Sequence, residues 1–223
     1  IYPNVGVPIP DNIGNVIFNQ ANFTIVNNYA QDEPVYKKEL FENDIIHIFD
    51  DNQCNELLKI GLSMTHYDMA KLLYHMYKDD YIFAGNNWYE FYDHRWHIKK
   101  IPSLKKKISE ELQTYYEKLN AHYENNQQIT IDEKNEKTKI IHNLIKKLKD
   151  VPYKKNVMSE VADFFENEDF INLADENRYL LAFNNGVFDF ENMEFREGKK
   201  QDWITLCTYC DYVEFDEENQ NVK

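Results

Sequence analysis

Apolar side chains recur every three or four residues over much of this 223-residue chain, but around residues 81–98, and again from Tyr179, the interval drops to two. Both periods in one chain demand helices together with antiparallel hairpins, so the expected fold class is α+β, mainly helical with two or more β-hairpins. Leu57, Leu58 and Leu62, then Met69, Leu72, Leu73 and Met76, predict two helices parted near Gly61. Thr65 is the expected N-cap of the second, with Asp68 in its first turn. Ser103 is expected to open a helix with Ile108, Leu112, Tyr115, Tyr116, Leu119 and Tyr123 on one stripe, ending in a polar loop from Asn125 to Asp132. Ile141, Leu144, Ile145 and Leu148 mark a further helix, and Val157, Val161, Phe164 and Phe165 another, with Pro152 separating the two.

The period-two stretches place two hairpins. With Asp93 and His94 as the loop of the first, Phe91 faces Trp96, Tyr89 faces Ile98 and Glu90 faces His97, which predicts one apolar face for packing on the helices. In the second, Asn185-Gly186 stands where a two-residue turn with positive φ would join Leu180–Phe183 to Val187–Phe190. Glu194–Arg196 and Trp203–Tyr212 can add strands. Residues 1–50 contain Pro3, Pro8, Pro10 and Pro34 with Asn-rich stretches and no sustained period, which reads as an extended entry segment or linker.

Charge limits the function classes. The 25 Lys and Arg against 39 Asp and Glu give a net charge of -14, so the chain as a whole repels phosphate and is no generic polycationic nucleic-acid binder. The distribution is uneven, however, and residues 99–155 are locally basic between acidic flanks. Lys105, Lys106 and Lys107 cluster at one helix start, and Lys146, Lys147, Lys149, Lys154 and Lys155 at a helix junction. Without an Arg cluster the ordinary reading, two solvated helix faces, stands ahead of a nucleic-acid surface, and these eight lysines are the DNA-binding candidates. No apolar run approaches the roughly 20 residues that span a bilayer, so the expected setting is soluble and intracellular, with no membrane partner. Three cysteines cannot build a disulfide framework. Ile1 at the start and a polar run at the end suggest a piece of a longer polypeptide.

Several catalytic classes lack their residues. A P-loop around the one Gly-Lys pair, Gly198-Lys199, would need Gly at Met193 and Ser or Thr at Lys200. No two Asp stand two apart, so the simplest metal-binding pair of a polymerase strand is missing, and no Ser sits in a Gly-x-Ser-x-Gly elbow. A nuclease could use Asp189, Glu197 and Lys199, although Glu197-Gly-Lys199 reads as a turn. Cys207-Thr-Tyr-Cys210 has zinc-knuckle spacing, with His94 and His97 as distant complements; residues three apart on a strand point to opposite faces, so no metal ligand is assigned unless the strand breaks there. No catalytic residue is assigned either.

The segments Thr65-His-Tyr-Asp-Met-Ala-Lys-Leu-Leu-Tyr74, Trp88-Tyr-Glu-Phe-Tyr-Asp-His-Arg-Trp96, Leu180-Leu-Ala-Phe-Asn-Asn-Gly-Val-Phe-Asp189-Phe and Phe195-Arg-Glu-Gly198 resemble the poxvirus-type primase-helicase family of large DNA viruses, in the domain just before the superfamily-three helicase. The resemblance implies a non-catalytic connector over residues 51–215, between the entry segment and an acidic linker at 216–223. It would join a primase to a hexameric ATP-dependent helicase and help build its ring. Its partners would be its own primase and helicase domains, other copies in the ring and single-stranded DNA. ATP and magnesium would belong to the helicase domain, with no cofactor in this segment, and the location would be the host cytoplasm or a viral replication site. Carried over are the structural positions Trp88, Trp96, Asn185, Gly186 and Asp189, not catalytic ones. The rival readings are the metal-dependent nuclease and a protein-interaction module for another replication factor.

Overall fold

A computed structural model describes residues 36–214. The expected α+β class holds. Helices α1 (Asn52–Ile60) and α2 (His66–Tyr77) lead into a meander of β1 (Tyr81–Ala84), β2 (Asn87–Tyr92) and β3 (Arg95–Lys99). Then come α3 (Leu104–Ser109), α4 (Glu111–Asn125), α5 (Ile131–Lys147), α6 (Val151–Phe165) and the single turn α7 (Phe170–Leu173). A second antiparallel meander follows, with β4 (Leu180–Phe183), β5 (Gly186–Asp189) and β6 (Glu194–Arg196). Residues 1–35 of the entry segment and the acidic tail at 216–223 lie outside the described residues, while residues 36–50 pack on the helices through Phe41 and Ile46.

One large core joins α1–α6, with Leu58, Leu72, Ile108, Leu119, Ile141 and Val157 fully enclosed. Its buried polar groups are partnered apart from Asn120 Oδ1. Tyr116, wholly buried, donates its hydroxyl to the Leu58 carbonyl at 3.1 Å, and any Cβ at Gly61 would overlap that hydroxyl. Lys137 is 0% exposed, yet its ammonium sits 2.8 Å from both Asp44 and Glu133 and beneath the rings of Phe41 and Tyr123. A buried cation of this kind persists only because it is paired.

Helix starts follow their caps. Thr65 accepts from the Asp68 N–H as expected, and Thr130 and Asp150 do the same for α5 and α6. Pro152 does not separate α5 from α6: it lies in the first turn of α6, where a missing N–H costs nothing, and Asp150 makes the start. The helix expected from Ser103 to Tyr123 is two, broken at Glu110, where φ is -113° and ψ -71°. Ser103 does not cap it, because its side chain and N–H both bond to the Glu90 carboxylate on β2.

The first hairpin has the expected register, Phe91 opposite Trp96, Tyr89 opposite Ile98 and Glu90 opposite His97. Asp93 and His94 both take positive φ, as do Gly85 and Asn86 in the preceding turn. The packing differs from expectation. The Phe91–Trp96 face meets Phe170 and Trp203, whereas the main helical core receives the opposite face through Tyr81, Phe83 and Trp88. Ile98, at the sheet's edge, is 61% exposed. In the second hairpin Phe183 pairs with Gly186, so Asn184-Asn185 is the turn, and neither residue has positive φ. Gly186, now the first residue of β5, does take positive φ, at +158°, and is required by close approach as well, since a Cβ there would lie 2.6 Å from Phe195 Cζ and 2.7 Å from the Arg196 carbonyl oxygen. Trp203–Tyr212 forms no strand. It is a strap that bonds once to β3, through Trp96 N–H to the Ile204 carbonyl, and twice along β4.

Candidate functional site

Three of the four segments that carry the family wording, those of Trp88–Trp96, Leu180–Phe190 and Phe195–Gly198, meet at one joint, while Thr65–Tyr74 lies in α2. Gly198 packs so closely on His94 that a Cβ would overlap its carbonyl, and its N–H donates to His94 Nδ1 at 3.3 Å. Trp96 donates its indole N–H to the Lys200 carbonyl at 2.9 Å, and Lys200 reaches Asp80 at 2.7 Å. Asp189 ties off the β5–β6 turn: one oxygen accepts from the Glu191 and Asn192 N–H groups and the other from the Asn192 side chain. Those bonds, led by the Asn192 side chain, hold its carboxyl below the ordinary carboxylate value against the opposing effect of desolvation. Arg196 then forks onto Asp202 at 2.8 and 2.9 Å, with Asp189 at 3.5 Å. Asn185 clamps Tyr212 at both its N–H and its carbonyl. Trp88 lies in the helical core. Trp88, Trp96, Asn185, Gly186 and Asp189 thus each make packing or hydrogen-bonding contacts.

Of the residues a nuclease would use, Asp189 has both carboxylate oxygens engaged by the β5–β6 turn, with Arg196 beside it. Backbone commitments bear on the triphosphate. The Gly198 and Lys199 amides, the donors a phosphate cradle would need at the one Gly-Lys pair, already serve His94 and Asp202, so this turn offers no free cradle for phosphate. Among the described residues no group of three or more His, Cys, Asp or Glu gathers in metal-holding geometry.

The lysines are partly brought together. Ser109 at the end of α3 donates to the Leu148 carbonyl at 3.1 Å and accepts from Lys154 Nζ at 2.7 Å, which docks α3 on the α5–α6 junction. Lys105–Lys107 and Lys146–Lys155 therefore occupy adjoining surface rather than two remote faces. Within it Lys106 pairs with Glu110 at 3.5 Å and Lys107 with Glu111 at 2.5 Å, the latter also lying over the Tyr77 ring. Lys146, Lys149 and Lys155 are exposed. Ser109, the hinge of this surface, carries no sequence signal beyond being a small polar residue on a helix. A second cation site was also invisible: Lys99 donates to the Tyr92 hydroxyl and overlies its ring, which stacks on His97 at 3.7 Å, and burial pushes the His97 pKa down.

Residues 70–221, well over half of the chain, match the family described as D5 N terminal like, and the chain belongs to that family. "Putative helicase L207/L206" of Acanthamoeba polyphaga mimivirus is 38% identical over 182 residues, which cover 75% of this chain and 18% of the relative. "Putative helicase 121R" of Invertebrate iridescent virus 3 is 27% identical over 176 residues, covering 66% of this chain and 19% of the relative. The chain therefore spans about a fifth of the length of these relatives. The resemblance to the primase-helicases of large DNA viruses accordingly holds at the level of the family. Among the described residues no helix is long and apolar enough to cross a membrane.

Proposed function

We propose that this chain is the non-catalytic connector of a viral DNA-replication helicase: it joins a primase to a hexameric ATP-dependent motor, supports the ring and guides single-stranded DNA towards it. What supports the DNA-guiding part is the Ser109 junction, which docks the lysine-bearing α3 on the lysine-bearing α5–α6 junction in an otherwise acidic chain. Family membership and the relatives' helicase names support the connector part. The motor would supply ATP and magnesium chemistry from its own residues. This chain's contribution is electrostatic and mechanical, with lysine ammoniums meeting phosphates and the paired aromatic layers holding the frame.

Two measurements test it. The coding sequence beyond Lys223 is expected to encode a Gly-x-x-x-x-Gly-Lys-Ser/Thr motif, and a reading frame that ends without one would remove the motor. Fluorescence anisotropy with a labelled single strand should show weak, sequence-independent binding that falls steeply with salt, because each lysine–phosphate pair releases counterions as it forms. Changing Lys146, Lys149 and Lys155 together to Glu should weaken binding and flatten the logarithmic salt slope by about 0.7 for each phosphate left without its lysine. Tight binding indifferent to salt, or no binding at low salt, would take DNA off this surface.

A further inference from the structure

The strap that follows Trp203 holds Cys207 and Cys210, and the structure removes the objection that strand geometry would keep them apart. The strap runs parallel to β4. Thr208 N–H donates to the Ala182 carbonyl at 3.0 Å, and in a regular parallel ladder the next bond would run from Asn184 N–H to the carbonyl of Thr208 itself. Instead Asn184 N–H donates to the Cys210 carbonyl at 2.9 Å. Two extra residues are therefore looped out, and the Cys210 carbonyl takes the place that the Thr208 carbonyl would hold. The chain makes this loop by bending at Tyr209, whose φ is +59°.

Both sulfurs bond within this small corner. Cys207 donates its S–H to Asn184 Oδ1 at 3.7 Å, and the Tyr209 N–H donates to Cys207 Sγ at 3.4 Å. Cys210 donates to Thr208 Oγ1 at 3.3 Å. Cys210 is exposed and Cys207 partly so, while Cys54 is buried in the helical core, where burial raises its thiol pKa to about 11. A bend of this kind, unlike a regular strand, permits two cysteines three residues apart the Cα separation of about 4.4–6.8 Å that a disulfide needs.

We propose that Cys207 and Cys210 form a reversible redox dithiol whose oxidant is a low-molecular-weight disulfide of the glutathione class. The exposed Cys210 thiolate attacks one sulfur of that disulfide, forming a mixed disulfide and releasing one thiolate. Cys207, after losing its proton to solvent, attacks Cys210 Sγ and releases the second. The chain loses two protons and two electrons, and the oxidant is reduced to two thiols. The closed bridge cinches the strap on the β4 edge, where it also carries Tyr209 beneath Arg95 and Tyr212 in the Asn185 clamp.

The test uses the whole chain, reduced and then equilibrated in glutathione buffers of rising oxidised-to-reduced ratio. After acid quench and alkylation under denaturing conditions, intact and peptide mass spectrometry count the remaining thiols. The expected result is a monomer that loses two of its three alkylatable thiols together, with Cys54 still free and a Cys207–Cys210 peptide link. Cys54→Ser should leave this unchanged. Cys207→Ser should abolish the bridge and hold one glutathione on Cys210. Three alkylatable thiols at every ratio, a bridge that includes Cys54, or bridging only between chains would overturn the proposal.

Discussion

The helical body and the two β-meanders solve the problem of burial in opposite ways. The body encloses one continuous core in which even the polar residues, Tyr116, Tyr123 and Lys137, are surrounded by apolar atoms and individually satisfied. Beyond Tyr81, Phe83 and Trp88, which join the helical core, the apolar side chains of the meanders fall in two small clusters, Ile82, Ala84, Trp96 and Phe170 in one and Ala182, Val187 and Ile204 in the other. Small sheets need a hydrophobic face or a packed helix for stability. The meanders are held by single bonds to irregular chain, such as Trp96 to Lys200 and Ile204, Asp175 to the Thr205 and Leu206 amides, and Asn185 to Tyr212. Stability in the first region is thus spread over area, whereas in the second it is concentrated in a few joints. Of the family wording, Trp96 and Asn185 fall on those joints, while Thr65–Tyr74 and Trp88 lie in the body.

The largest effect that would break this contrast comes from paired truncations. Leu72→Ala in the body should cost about 2–5 kcal/mol and Trp96→Ala in the meander about 3–5 kcal/mol. Their distribution should differ, however. Hydrogen exchange in Leu72→Ala is expected to accelerate throughout, because that core is one unit. In Trp96→Ala it should accelerate first in β1–β3, α7 and the strap, leaving α4 and α5 protected. Uniform acceleration in both variants would show that the meanders and the body unfold as one.

The two regions also differ in how far the sequence discloses them. Helical periodicity finds every long helix and the Thr65 cap, because an apolar stripe is a local property of one element. It misses the break at Glu110, since the stripe runs through it while Ser103 is drawn away to Glu90, a partner on another element. Strand alternation fixes the register around Asp93-His94 but not which face meets the helices. Both faces are aromatic, and the choice depends on Phe170 and Trp203, distant in sequence. Asn185-Gly186 suggests the wrong two turn residues, because Gly186 answers to Phe195 and Arg196 across the sheet rather than to turn geometry. The eight lysines are visible as charge, yet their union through Ser109 is not. Strand geometry argues against pairing Cys207 with Cys210, and the structure replaces that strand with a bent strap.

A smaller effect sharpens the contrast through acid. Asp189 anchors the second meander with a pKa held below the ordinary carboxylate value, by the Asn192 side chain first and then the Asn192 and Glu191 amides and Arg196. A carboxyl whose folded pKa is depressed stabilises the fold above its unfolded pKa, and that contribution is lost as pH falls through the folded value. Asp189→Asn keeps an oxygen for the Glu191 and Asn192 amides but presents an NH2 group towards the Asn192 side chain and Arg196. The urea midpoint of Asp189→Asn should therefore lie below that of the parent at neutral pH. The gap should persist down to the ordinary Asp range and close only below it, once the parent's own carboxyl is protonated. Acid weakens the helical body as well, through Asp51, whose carboxyl is depressed by its bond to His75. Asp51→Asn is therefore the matched control in the other region, and protection of β4–β6 should respond to the first variant while α1 responds to the second. A gap for Asp189→Asn that stays constant from neutral pH to well below the usual carboxylate range would mean that turn shape, not charge, is what Asp189 contributes.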